Sequence, residues 1–377
     1  MVAPTHRVAV VAGARTPFVK AGKAFASLGP LALAKQAVLG LLERHGVKAD
    51  GVHAIAMGAV VPEPGKPNLA REIVLESGLP EHIEGQTVSS YCISGLRAVT
   101  VIADAIARGR IDCGIAGGVE WLSGADPATF REPSTGLSMG EHMELTRREW
   151  QISRERQDEI ALASHRNAVA ARERLALEII PVEGITQDTG PRPTTSLEQL
   201  AALKPAFSAD GTITAGNASP VTDGASAVLL MSESRVRAEG RQALAWIDGI
   251  EYAAISPAEG LLMAPAIAVP RLLKRAGLHM TDVDLLEIHE AFATQVLANV
   301  AAWERGWKGD ATGPIDWARV NVNGSSVAIG HPWAATGGRI VTTLANEMAR
   351  RQSRDGLISI CAAGAMAGAM LLTQGTP

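Results

Sequence analysis

The chain has 377 residues, 47% of them apolar and 20% charged, with a formal net charge of −4. This length and apolar content support a large core divided over two or three structural units, and the weak net charge, with no block of like charges, excludes a general nucleic-acid binder. Three cysteines without close pairing, Cys92, Cys113 and Cys361, fit a reducing compartment better than a disulfide-stapled secreted domain.

The chain opens into a strand-like run, VAVVAG (8–13), without the charged region and apolar core of a signal peptide. An Ala- and Leu-rich helix is predicted over Leu31–Glu43, and further strands over 54–61 and 113–118. This alternation points to an α/β architecture of layered sheets and helices. SSYCISGLRAV (89–99) then puts Cys92 at the mouth of a predicted buried helix with Leu96, Val99, Ile102 and Ile106 along it. Unpaired N–H groups and the partial positive charge of a helix N-terminus favour thiolate over thiol there. The alternative is a cysteine used as a small core residue, which is also the reading for Cys113.

Residues 121 to about 215 change character, with charged helical stretches and a polar segment replacing apolar strands, and read as an inserted, more exposed subdomain. Strand style returns in TAGNASPVTDGASAVLLMSE (214–233), and a second half begins near Leu244. The predicted boundaries are therefore 1–120, completed by about 216–243, then 121–215 as the insert, and 244–377. His289 stands where the strand VDLLEI (283–288) passes into an amphipathic helix, as a ligand donor or a simple cap. His331 is bracketed by Gly330 and Pro332 in NGSSVAIGHPWAATGG, and Cys361 ends an apolar strand in ISICAAGAMAGAM. The stretch 358–372 is broken by glycines and shorter than the roughly 18 residues a membrane span needs, so the cytoplasm is the expected location. Residues 92, 289, 331 and 361 lack the close paired spacings of zinc sites, and the glycine-rich stretches form no nucleotide-binding fingerprint. No metal and no permanently bound cofactor are expected.

Internal similarity links the two halves. Residues 95–108 and 337–350 agree at seven of fourteen positions, and each copy runs into a strand containing a cysteine and glycines. Such a duplication lets equivalent helix N-termini face one shared site, with Cys92 upstream of the first and His331 upstream of the second.

Taken together, SSYCISGLRAV, TAGNASPVTDGASAV, IHEAFATQ, NVNGSSVAIGHPWAATGGRIV and CAAGAMAGAM resemble the thiolase family, in order and along essentially the whole chain. The resemblance implies a five-layered α/β/α/β/α fold of two similar halves with an inserted loop domain. It implies coenzyme A thioester substrates and either thiolytic cleavage of a 3-ketoacyl-CoA or the reverse condensation, as in a biosynthetic acetoacetyl-CoA thiolase. Cys92 resembles the acylated nucleophile, His331 its base, and Cys361 the second cysteine that shuttles a proton. One oxyanion site would use His331 with His289 or a water that His289 holds; the other would use the backbone N–H groups of Cys92 and Ala363. Met139 and the segment LLMAP (261–265), with Met263, resemble pocket-lining positions, Ala291 and Phe292 positions beside the pantetheine, and Lys204 a contact for a coenzyme phosphate.

HEAFA, HPWAATG and CAAG resemble the branch containing the β-subunit of the fatty-acid oxidation trifunctional complex, which degrades longer 3-ketoacyl chains. Members that dock on an α-subunit carry a long extra segment near the start of the insert. Only LSGADPATFREPSTGLSMG (122–140) stands there in this chain, which argues against such a partner, and the family resemblance implies a homodimer or homotetramer. Ser325 replaces a glycine of the family pattern, and GAMAGAM is less glycine-rich than usual, changes expected to reshape the cleft without removing a reacting atom. Three rivals remain: the condensing thiolase, a decarboxylating ketoacyl synthase of related fold, which carries a histidine where Cys361 stands, and a non-catalytic acyl-CoA-binding protein.

Overall fold

Apolar runs without polar alternation become strands covered on both faces. The computed structural model describes residues 6–126 and 130–375, so residues 127–129 of the segment 122–140 lie outside the described residues. The first half contains β1 (Val8–Arg15), β2 (Val19–Lys20), α1 (Pro30–Arg44), β3 (Ala54–Gly58), α2 (Leu69–Glu76), β4 (Glu84–Val88), α3 (Ser94–Ala107) and β5 (Cys113–Glu120). Helices α4 (Met139–Glu149), α5 (Arg154–Ala170), α6 (Arg172–Ala176) and α7 (Leu197–Ala201) intervene before β6 (Thr222–Ser232) and α8 (Glu233–Ala238). The second half contains β7 (Ala245–Ala254), α9 (Pro265–Ala276), β8 (Leu285–Ile288), α10 (Ala293–Arg305), α11 (Ser326–Ile329), α12 (Ala335–Arg351), β9 (Asp355–Ala362) and β10 (Met366–Thr373). Every residue of β1, β3, β5, β6, β8 and β9 is buried.

The strand order is β4-β3-β5-β6-β1-β7-β10-β9-β8, and it repeats itself about the β1–β7 junction. On one side β1 pairs antiparallel with β6 and β6 with β5, while β5, β3 and β4 run parallel. On the other side β7 pairs antiparallel with β10 and β10 with β9, while β9 and β8 run parallel. A parallel bridge between Leu286 and Val320 stands where β4 stands in the first half. The halves join through three residue pairs, Val8 with Ile247, Ala9 with Trp246 and Val10 with Ala245.

Three apolar clusters account for five layers. In one outer cluster α1 and α2 pack on the first half-sheet, with Leu33, Leu41 and Ile73 against Ile55, Ile115 and Leu229. In the other, Leu272, Leu273 and Trp303 of α9 and α10 pack against Leu286, Leu357 and Leu371. Between them α3 and α12 share a cluster with strands from both halves, including Ala56 and Val228 from one and Ile358 and Met370 from the other. Among the described residues no helix is long and apolar enough to cross a membrane.

The two central helices meet at their N-terminal turns, and glycine makes the contact possible. A Cβ on Gly95 would lie 2.2 Å from the Ala334 carbonyl oxygen, and one on Gly337 would lie 2.3 Å from the Leu96 nitrogen. These are matched positions of the sequence repeat. The close approach brings the segments just upstream of each helix into one place, as the duplication predicted.

Candidate active site

Cys92 sits in a 3-10 turn, Tyr91–Ile93, directly before α3. Tyr91 adopts φ 50°, a left-handed conformation that costs a side-chain-bearing residue about 1–2 kcal/mol. Ser94 Oγ locks the turn by donating to the Tyr91 carbonyl at 2.6 Å and accepting from the Ser90 N–H at 2.7 Å. His331 arrives from the loop before α12. Gly330 takes φ 115°, and a parallel bridge to Val221 holds the histidine against the strand-like segment before β6.

The result is a 3.1 Å contact between Cys92 Sγ and His331 Nε2, across 239 residues of sequence. On its other side His331 Nδ1 lies 2.7 Å from Thr336 Oγ1. An Nδ1–H donated to that hydroxyl leaves Nε2 free to accept the thiol proton. His289 packs against His331 with ring centroids 4.1 Å apart and planes tilted by 47°. Asn321 fixes the strand end before it, accepting from Ile288 N–H at 2.8 Å and donating to the Ile288 carbonyl at 3.0 Å. His289 Nδ1 lies 2.8 Å from Ser326 Oγ, which also accepts from Arg339 at 3.3 Å. His289 Nε2 is buried with no partner among the described residues.

Burial decides the protonation of this group. It pushes the Cys92 thiol up to about 12, against the lowering effect of N–H groups from Ala363 and Cys92 itself. It pulls His331 down to about 3, with the Arg339 charge adding to the effect. His289 is lowered well below its ordinary value by burial, then by His331 and Arg339. Cys361, also buried, is raised well above the ordinary thiol value by desolvation and by neighbouring Cys92. Burial thus favours a neutral thiol hydrogen-bonded to a neutral imidazole. It works against the ionisation that the sequence reading assigned to the helix end and His331 together, and α3 begins two residues later, at Ser94. A helix terminus supplies about 0.3–1 kcal/mol, less than the several kcal/mol of desolvating an anion.

Cys92, His331, Cys361, Ala363, Met139, Ala291 and Phe292 all line one cleft of about 800 Å³, its open mouth included. Phe130, Phe207, Leu262 and Trp333 complete much of its apolar wall. Two edge-to-face aromatic pairs stiffen that wall, Phe130 with Trp333 at 5.0 Å and Phe207 with Phe292 at 6.1 Å. The N–H groups of Ala363 and Cys92 both face the Cys92 sulfur, the arrangement expected of one oxyanion site. Ser325 leaves the cleft untouched; its hydroxyl donates to the Ile288 carbonyl at 3.1 Å and accepts from Arg339 at 3.2 Å, behind His289. Ala365 in the GAMAGAM run takes φ 54°, where glycine would be free of strain.

One predicted wall residue lies elsewhere. Met263 is wholly buried in the outer α9 and α10 cluster, its sulfur 3.8 Å from Asn299 Nδ2, and Leu262 takes the wall position instead. Within the predicted segment 261–265, Leu262 therefore faces the cleft and Met263 the core. Lys204 is exposed, three residues before the cleft-lining Phe207, and stands outside the cleft itself. The sequence reading also missed Glu120. At the end of β5 it reads as a strand exit to solvent, yet it is buried, accepts N–H groups from Val60, Val61 and Ala334, and is raised by burial to about 8. Tertiary contacts alone identify it.

Comparison with known proteins gives one consistent family and fold. The family model for the thiolase N-terminal domain matches residues 8–140 and 126–234, and that for the thiolase C-terminal domain matches 241–374. A protein of Alteromonas mediterranea named 3-ketoacyl-CoA thiolase is 38% identical, covering 97% of this chain and 96% of its own length. A Salmonella choleraesuis protein of the same name is 37% identical with the same coverage. The first alignment spans 420 positions against 377 residues here, so that relative carries insertions this chain lacks. Among solved structures, an acetyl-CoA acetyltransferase of Bacillus anthracis superposes with a TM-score of 0.90 at 33% identity, covering 99% of this chain and all of its own. One from Syntrophomonas wolfei does so at 0.90 and 32%, covering 98% of this chain and all of its own.

Proposed function

This chain belongs to the thiolase family, and from that premise we propose that it is a 3-ketoacyl-CoA thiolase, cleaving 3-ketoacyl-CoA with free CoA to acetyl-CoA and a shortened acyl-CoA. The observation that carries this reading is the contact between Cys92 Sγ and His331 Nε2, made by opposite halves of the molecule inside an apolar cleft that also holds Cys361.

Cys92 attacks the 3-keto carbon while its proton passes to His331 Nε2. The N–H groups of Cys92 and Ala363 hold the negative oxygen that forms. The C2–C3 bond then breaks, and the acetyl-CoA enolate takes a proton from Cys361, its oxygen facing His331 and His289. If the Ser326 hydroxyl donates to His289 Nδ1, His289 presents Nε2–H to that oxygen, which gives the otherwise unpartnered atom its partner. In the second half-reaction CoA attacks the acyl-cysteine, its thiol proton restores Cys361, and His331 returns its proton to the departing Cys92 sulfur. A neutral resting pair serves this cycle, since charge is created only once substrate and oxyanion donors are in place.

The aromatic wall of Phe130, Phe207, Phe292 and Trp333 favours an acyl chain longer than acetyl. The names of the superposed acetyl-CoA acetyltransferases favour the condensing direction as the second reading. Thiolysis measured across 3-ketoacyl-CoA lengths, with intact mass after each addition, separates them. Turnover of octanoyl-length substrates with an acyl adduct on Cys92 supports the first; turnover confined to acetoacetyl-CoA overturns it. We also read the chain as two duplicated halves, 1–120 with 216–243 and 244–377, around the insert 121–215. It works as a cytoplasmic homodimer or homotetramer without an α-subunit-like partner, in fatty-acid β-oxidation, with CoA as substrate rather than bound cofactor.

A further inference from the structure

Cys92, His289 and His331 each offer one ligating atom, and these atoms lie within 4.8 Å of one another. Their sequence positions hid this, because the spacing is set by three separate loops. His289 Nε2 is a second sign, in the substrate-free site: its side chain is fully buried and, with no enolate oxygen to meet, that nitrogen makes no hydrogen bond among the described residues. An unpaired buried polar atom is desolvated without compensation, so a partner for it is expected in the substrate-free state as well as during turnover.

We propose that Cys92, His289 and His331 form a three-ligand site for a borderline-soft divalent cation such as Zn²⁺, which reversibly caps the nucleophile. One sulfur and two imidazole nitrogens are a donor set that suits Zn²⁺ over Mg²⁺ or Ca²⁺. Both rings are anchored through Nδ1 on hydroxyl groups, His331 on Thr336 and His289 on Ser326, which leaves Nε2 of each toward the sulfur. That outer anchoring is how metal-binding histidines are usually oriented. Ser326 Oγ already accepts from Arg339, and with one lone pair and one hydrogen left it can accept His289 Nδ1–H as well as donate to Nδ1. Ligand atoms around tetrahedral zinc stand about 3.5 Å apart, given bonds of about 2.0–2.3 Å. The 3.1 Å Cys92–His331 separation needs only a small opening to admit the ion.

Binding replaces the S–H bond of Cys92 with an S–Zn bond and releases one proton to solvent. The two neutral imidazoles each give an Nε2 lone pair without losing a proton. Nothing is oxidised or reduced. The fourth position faces the cleft and takes water, and the capped sulfur can neither attack a thioester nor be alkylated.

The site is tested by binding, so its outcome is independent of whether the thiolysis reading stands. Co²⁺ added to the apo full-length protein is expected to give one equivalent of sulfur-to-cobalt charge-transfer absorption with tetrahedral visible bands, and Zn²⁺ to bleach them. Cys92→Ser should abolish the sulfur band, Cys361→Ser should retain it, and His289→Asn should weaken binding roughly a hundredfold or more. In unaltered protein, Zn²⁺ should block iodoacetamide labelling of Cys92, read by intact mass, and a chelator should restore it. No thiolate–cobalt band at millimolar Co²⁺, a band that survives Cys92→Ser, or unprotected labelling overturns the proposal even if a variant fails to fold.

Discussion

The two central helices are copies of one another in packing and unlike in what they present. α3 and α12 carry matching glycines, Gly95 and Gly337, and touch backbone to backbone at their first turns. Upstream of α3 stands a locked 3-10 turn with Cys92; upstream of α12 stands the Gly330–His331–Pro332 loop. The duplication therefore supplies the frame and the divergence supplies the chemistry. An acid and a base cannot both come from identical segments, but two copies that keep the matched glycines and differ at the loop bring an unlike pair into register.

The largest effect comes from emptying one side of that pair. Cys92→Ser should lower kcat roughly 10⁴-fold, as loss of an activated nucleophile does elsewhere, and intact mass should show no acyl adduct. Full activity in this variant would remove the first half's claim to the nucleophile.

The second break concerns charge. With the Cys92 thiol pushed up to about 12 and His331 down to about 3 by burial, iodoacetamide should label Cys92 slowly at pH 7. The rate should climb about tenfold per pH unit, roughly a hundredfold by pH 9. A rate already high and flat between pH 5 and 8 would reveal a resting thiolate–imidazolium pair instead.

The shared contact can be probed from each half. Gly95→Ala and Gly337→Ala insert a Cβ into the same backbone junction, and each should destabilise by about 1–3 kcal/mol in urea unfolding. The double variant should cost less than the sum, because one displacement relieves both clashes. Strict additivity would show that the glycines do not share a junction.

The smallest effect is expected at Glu120, which ties Val60 and Val61 to Ala334 at the start of α12. Burial raises its folded value from 4.5 to about 8. Its contribution to stability is therefore complete below pH 4.5 and is lost as pH rises through about 8. Glu120→Gln should flatten the fall of Tm between pH 5 and 8, leaving the part due to Glu287, which burial also raises to about 8. An unchanged slope would mean that Glu120 is ionised in the folded protein.

The α/β layering, the helix over Pro30–Arg44, the duplication and the residues Cys92, His331, His289, Cys361 and Ala363 were all legible in the sequence. Each belongs to a local signal: apolar runs, Ala- and Leu-rich segments, glycine punctuation and ordered motifs. What local signals do not carry is depth. Met263 and Leu262 are adjacent apolar residues, and only the packing of α9 and α10 decides that the first is core and the second cleft wall. Glu120 reads as a charged strand end until the N–H groups of Val60, Val61 and Ala334 are seen to surround it.

The sequence by itself determined which groups are present, in what order, and that the halves are related. The tertiary structure decided which of them meet and in what state. Cys92 and His331 converge because backbone touches backbone at two glycines far apart in the chain, and the end of β8 sets His289 beside them. Burial favours their neutral forms because the fold removes the water that would stabilise the charged ones, and desolvation outweighs the field of a nearby helix end.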